Sequence, residues 1–236
     1  MTERGRGALT RDAASLTIGP SAVEWDGTAL TLSLDEVAVP LPGRIRGTVR
    51  VIPEAVTDGR LTLDPAGRHR WWPIAPRARV EVALRAPDLA WQGDGYLDTN
   101  DGDEPLQAGF RSWTWSRAPL ADGAAVLYDV VGHDGPGAPL ALRFDRAGGV
   151  ERAEPPPPAT LPTTRIWRVP RSTRADPGGA ARVAETLEDS PFYARSVVET
   201  TVFGESAKAV HESLSLTRFA TPWVKVLLPF RMPRRG

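Results

Sequence analysis

RHRWWPIAPRARVEVALRAPDLAWQGDGYLDTNDGDEPLQAGFRSWTWSR, residues 68–117, is the stretch whose reading decides the fold. Within it, residues 78–84 alternate, with Val80, Val82 and Leu84 on one side and Arg79, Glu81 and Ala83 on the other. That period of two is the signature of a half-buried strand. Residues 110–115 alternate aromatic with small polar side chains in the same way. Five of the eight tryptophans (Trp71, Trp72, Trp91, Trp113 and Trp115) lie here, interleaved with His69, Tyr96, Asp98, Asn100, Asp101, Asp103 and Glu104. Ionisable groups avoid apolar interiors unless paired or used, so the stretch is expected to hold an active site in an aromatic-lined cleft, carried on strands.

Working outward, residues 29–34 (ALTLSL) and 44–52 repeat the alternation, and Trp25-Asp26-Gly27 supplies a turn before the first of them. Residues 53–70 are punctuated by Pro, Asp-Gly and Pro-Ala-Gly and read as a junction, with a domain boundary at residue 56. Downstream, residues 124–131 form a continuous apolar run around Tyr128, suited to a fully buried strand. Residues 140–144, 165–169 and 181–187 also read as strands, as do SPFYARSVVETTVFG, HESLSLTRF and WVKVLLPF. GGVERAEPPPPATLP is a Pro-rich connector, partly polyproline II. Only residues 1–14 and the turn after Glu205 show helical tendency. Many short strands separated by Gly/Pro turns predict an all-β sandwich or barrel.

The 236 residues suffice for one large all-β domain or two ordinary ones. The net charge of zero leaves no basic footprint for nucleic acid. Cysteine is absent, which removes disulfides, thiolate metal sites and a cysteine nucleophile. No apolar run reaches the length of a transmembrane helix, and residues 1–14 lack the apolar core of a secretory signal. The tail FATPWVKVLLPFRMPRRG sets Leu227, Leu228 and Phe230 beside Arg231, Arg234 and Arg235, which suits either a final strand or peripheral contact with an anionic bilayer.

Asp98 is the first candidate for chemistry. Gly93 and Gly95 let the backbone approach another group closely, and Tyr96 and Asp98 share a face if extended. An aspartate among aromatic rings would be desolvated and held protonated as a general acid. The competing reading is a turn, since Asp-Thr-Asn-Asp-Gly-Asp is loop chemistry. Calcium binding fits poorly, because the twelfth position counted from Asp98 is Gly109 and not a glutamate. His69 and Trp71 form a second pair at the same spacing, although a histidine between arginines also suits a solvated surface. His133 reads as loop and His211 as a structural hydrogen-bonding residue. The three histidines lack metal-ligand spacing, and there is no phosphate loop, nucleophile elbow or dinucleotide fingerprint.

WWPIAPRARVEV, WQGDGYLDTNDGDEPL, FRSWTWSR, LEDSPFYARS and HESLSLTRF…LLPFRMPR resemble the acyclic carotenoid 1,2-hydratases (hydroxyneurosporene synthases) of photosynthetic bacteria over nearly the whole chain. The resemblance implies lipocalin-like β-barrel domains in tandem. It also implies hydration of the terminal double bond of an acyclic carotenoid such as neurosporene or lycopene, without a cofactor or metal. The family's His-x-Trp and Tyr-x-Asp pairs fall on His69, Trp71, Tyr96 and Asp98. The implied roles are proton donation by Asp98, stabilisation of the tertiary carbocation by Trp71 and Tyr96, and activation of the incoming water by His69. The family's chain is longer at its N-terminus, so residues 1–56 are expected to be the last strands of a first domain and residues 57–236 the second. The expected partners are carotenoid and water, with peripheral contact at the cytoplasmic side of a membrane. Two other readings stay open: a lipocalin-like carrier whose rings only line a ligand cavity, and an inactive or cyclising relative.

Overall fold

The computed structural model describes residues 2–38, 42–227 and 232–234, and strand dominates them. In chain order the strands are β1 Thr2–Arg4, β2 Leu9–Arg11, β3 Ser15–Ile18, β4 Ser21–Trp25, β5 Leu30–Val37 and β6 Arg44–Pro53. There follow β7 Leu61–Thr62, the long pair β8 His69–Ala86 and β9 Asp88–Gly102, and then β10 Phe110–Leu120, β11 Gly123–Gly132 and β12 Gly135–Pro136. The remainder are β13 Leu140–Asp145, β14 Val150–Arg152, β15 Pro158–Leu161, β16 Arg171–Arg174, β17 Ala181–Asp189, β18 Tyr193–Val202, β19 Glu205–Ser215 and β20 Met232–Arg234. The α-helices are short, α1 Leu106–Gly109, α2 Leu216–Phe219 and α3 Pro222–Leu227.

The chain divides into two compact units. The first comprises Met1–Ala55, Arg77–Leu97 and Val226–Gly236; the second comprises Val56–Pro76 and Asp98–Lys225. In the first, β2 to β6 follow one another as antiparallel neighbours, and β6 pairs with the later part of β8. Gly47 lies at a bulge in that pairing with φ +145°, and a Cβ there would run into the carbonyl of Ala83. Only glycine satisfies both the angle and the space.

In the second unit the sheet order is β14-β13-β11-β10-β19-β18-β17, with β12 beside β11. Its register sorts the side chains into two faces, because residues directly opposite on antiparallel strands share a face. Trp115 stands opposite Tyr128 and Glu212, and Trp113 opposite Val130 and Leu214. The other face pairs Ser112 with Ser215, Thr114 with Ser213 and Ser116 with His211. Further along, that second face turns apolar, and Ala118, Leu120, Ala125, Leu127, Val202 and Ala209 form a buried cluster. Each large aliphatic side chain buried there contributes roughly 1.5–3 kcal/mol.

Strand β8 follows its sequence pattern. His69, Trp71, Pro73 and Ala75 are buried on alternate positions. The phase then slips, and Ala78 and Val82 carry the burial while Arg79, Ala83 and Arg85 are exposed. The slip falls where β8 leaves one unit for the other.

Several local expectations are corrected. Residues 100–102 continue β9 instead of forming a turn. Residues 165–169 are irregular: Arg168 has φ 52°, and Asp189 accepts from the backbone N–H groups of Ile166 and Trp167, which fits a turn and not a ladder. Residues 205–215 are strand β19, without the helical turn expected after Glu205. The reading of WVKVLLPF as a strand fails, because Pro222 starts helix α3; Pro suits a first helical position, and a short apolar run does not distinguish helix from strand. Residues 228–231 and 235–236, and with them Leu228, Phe230, Arg231 and Arg235 of the expected membrane contact, lie outside the described residues. Residues 6–8 form a single 3-10 turn between β1 and β2, and the Pro-rich connector contains β14 and β15.

Candidate active site

The first turns of β8 and the end of β9 bring the shortlisted residues of the second unit together. Trp71 has no exposed surface, and its indole N–H donates to Asp98 Oδ2 at 2.8 Å. The Trp71 ring packs edge-on against Tyr128, with centroids 5.5 Å apart, and Trp113 packs edge-on against the same tyrosine at 6.2 Å. Tyr128 is buried, and burial first, then the charges of Asp98 and Glu212, push its phenol well above the usual range. It therefore stays neutral and serves as a polarisable wall beside the carboxyl group.

His69 is also buried, at 1% exposure. Its Nε2 lies 3.3 Å from Glu104 Oε1, and its ring leans on Phe110 at 4.7 Å between centroids. Nδ1 is buried without a hydrogen-bond partner among the described residues. Gly102 and Gly109 close around the ring: a Cβ on Gly109 would lie 2.5 Å from Nε2, and one on Gly102 would lie 3.0 Å from Nδ1. The backbone N–H of His69 donates to Asp64 Oδ1 at 2.7 Å, which pins the entry to β8. His69 is thus an enclosed imidazole held by a carboxylate, unlike the solvated residue its arginine neighbours suggest.

Those arginines are used by the acidic run that follows Asp98. Arg70 donates through Nε to Asp101 and through Nη1 and Nη2 to Asp103, at 3.0 and 2.9 Å for the latter. Arg68 pairs with Glu104 at 3.2 Å. Residues 101–104 therefore fasten β9 to β8 beside the site, and Glu104 belongs to the site itself as the partner of His69.

Tyr96 is half-buried on β9, two residues before Asp98, so both side chains leave that strand on the same side. Trp115, on the same face of β10 as Trp113, is buried, and Trp91 is 49% exposed. His133 is an exposed loop residue, and His211 is a buried structural residue whose Nε2 lies 2.7 Å from the carbonyl of Ser172. Glu104, Phe110 and Tyr128 are the residues that sequence reading did not place in the site. Tyr128 carried a signal, an isolated phenol inside an otherwise aliphatic strand.

Comparison with known proteins bears on what this arrangement belongs to. A family model described as "Carotenoid hydratase CrtC" matches residues 1–236. The acyclic carotenoid 1,2-hydratase of Thiocapsa roseopersicina is 58% identical over 236 residues, and that of Rubrivivax gelatinosus 49% over 237. All of this chain is covered in both cases, and it spans 58% of each relative's length. The Cereibacter sphaeroides hydratase is 44% identical, and the chain spans 84% of it. Among solved structures, an AttH of Nitrosomonas europaea superposes with a TM-score of 0.57 at 14% identity, covering 89% of this chain and 72% of that one. CghA, solved with Sch210972, gives 0.52 at 13%, covering 88% and 69%. At such identities the structural likeness speaks for fold alone: all-β and lipocalin-like. By its match along its whole length, the chain belongs to the carotenoid hydratase CrtC family.

Proposed function

We propose that the protein is a cofactor-independent hydro-lyase that adds water to the terminal double bond of an acyclic carotenoid of the neurosporene or lycopene type. The observation that carries this reading is the Trp71 to Asp98 hydrogen bond among buried rings. Asp98 as the acid gives a proton to the CH carbon of the terminal double bond, and the π electrons form the new C–H bond. A tertiary carbocation and a carboxylate remain. The indole N–H of Trp71 holds that carboxylate in place, and Tyr96, projecting on the same side of β9, offers its ring to the cation. Water adds to the cationic carbon. His69, positioned by Glu104, takes the proton that the resulting C–OH2+ group sheds, leaving the neutral tertiary alcohol. Return of a proton to Asp98 completes the net addition of H and OH.

The polyene is soluble in lipid, so we place the protein peripherally at the cytoplasmic face of a membrane. No helix among the described residues is long and apolar enough to cross one. Supporting surface contact, Trp167 and Trp223 stack at 5.9 Å while remaining 36% and 50% exposed, beside an Ile166 that is 74% exposed. Aromatic rings favour the membrane interface. We also propose a first lipocalin-like domain ending at residue 56 and a second over residues 57–236, with residues 77–97 and 226–236 grouping with the first compact unit. Incubation of the chain with lycopene in 18O-labelled water tests the reaction: a product heavier by one labelled water is expected, and recovery of bound but unchanged lycopene would favour a carrier.

A further inference from the structure

We propose that the second unit carries another ligand site, a cavity that accepts a phosphate monoester or diester group. The cavity measures about 400 Å³ and is lined by the hydroxyl-bearing residues of β10 and β19, with Trp113 and Leu214 also in its wall. It shares neither Trp71 nor Asp98 with the candidate active site, and Trp113 is a wall residue common to both.

The register of β10 and β19 stacks Ser112 against Ser215 and Thr114 against Ser213, and all four line the cavity. Ser213 is 2% exposed, and its Oγ has no hydrogen-bond partner among the described residues. Leaving a buried hydroxyl unpaired is unfavourable, so the position makes sense as one that a ligand satisfies.

The charge is one-sided. Arg111, Arg171 and Arg218 line the cavity, and no Asp or Glu does so among the described residues. Arg171 is buried, and its hydrogen bonds go to neutral acceptors: the carbonyls of Pro162 and Thr163 and the hydroxyls of Thr186 and Ser196. Asp129, opposite Thr114 on the same face, is already taken by Arg174 through Nε and Nη2 at 3.0 and 2.8 Å. Asp189 accepts from the N–H groups of Ile166 and Trp167, and its charge also acts on Arg171 from outside the lining. Guanidinium groups with hydroxyl donors and no carboxylate in the lining recognise a tetrahedral oxyanion. The volume exceeds the need of bare phosphate and leaves room for a glycerol-sized substituent. Arg218 also donates to the carbonyls of Trp167 and Arg168, which ties the cavity to the exposed tryptophan pair.

The source of the phosphate group, a soluble ester or a lipid headgroup, is separated by two arms of one experiment on the full chain. The first is calorimetric titration with inorganic phosphate and glycerol 3-phosphate. The second is co-sedimentation with phosphatidylcholine vesicles with and without phosphatidylglycerol. The Arg111→Gln/Ser213→Ala variant removes one mouth charge and the unpaired hydroxyl, and neither is tied by a side-chain hydrogen bond given by the structure. Saturable binding that weakens about tenfold or more in this variant, with unchanged melting temperature, is expected. Should the double variant melt early, Ser213→Ala alone gives the reading. A response in the soluble arm assigns a small phosphate ester, and one confined to phosphatidylglycerol vesicles assigns a headgroup. Absence of binding in both arms, or binding equal in wild type and variant, overturns the proposal.

Discussion

Trp71 and Asp98 are joined by a 2.8 Å hydrogen bond from an indole with no exposed surface to a half-buried carboxyl group. The ring cannot turn away, because Tyr128 meets it edge-on. Trp71→Phe keeps most of the packing and removes the donor. Since hydrogen bonds to charged groups are worth about 1.5–3 kcal/mol, turnover of an acyclic carotene should fall by roughly 10–100-fold. Steady-state kinetics alongside a melting curve check this; an unchanged turnover number would show that the indole N–H does not serve the acid.

Gly109 and His69 define a second constraint. With a Cβ at 2.5 Å from Nε2 and 2.8 Å from Cδ2, Gly109→Ala must push the imidazole off Glu104 or shift β10. Overpacking of this kind costs about 1–3 kcal/mol, and activity should fall with stability. Gly93→Ala is the control, because its nearest neighbour is Trp91 at 3.7 Å and stability should hold. Denaturant midpoints of the two variants give the comparison.

His211 makes acid stability predictable. Burial first of all lowers its pKa to about 4, from an ordinary value of 6.5, against a smaller opposing effect of the Ser172 carbonyl. The unfolded chain therefore binds the extra proton between pH 6.5 and 4, and stability is lost as pH falls through that window and levels off below it. The contribution is at most about 3 kcal/mol. His211→Gln should flatten this part of the profile when urea midpoints are measured from pH 7 to pH 4; an identical slope in the variant would assign the loss to other groups.

Much of this was legible because strands write their burial into alternate residues. In β8 the odd positions from His69 to Ala75 are buried, and residues 78–84 carried the pattern plainly. The pairing of His69 with Trp71 and of Tyr96 with Asp98 followed from spacing and from family resemblance. The partners of those residues did not, since they come from long-range register. Glu104 reaches His69 across 35 residues, and Tyr128 reaches Trp71 from β11. Asp101 looked like part of a turn because its composition suits one, yet it lies in β9 and bonds across to Arg70, whereas the bend does follow at Asp103 and Glu104. Helix α3 was missed because six residues are too few for period to separate helix from strand.

Hydration of lycopene by Asp98→Asn tests the central claim most directly. Asparagine keeps the shape and still offers Trp71 a carbonyl oxygen, while it carries no acidic proton. Product formation should fall by about 10²–10⁴-fold with the melting temperature unchanged; a hydroxylated product at near wild-type rate would contradict Asp98 as the proton donor.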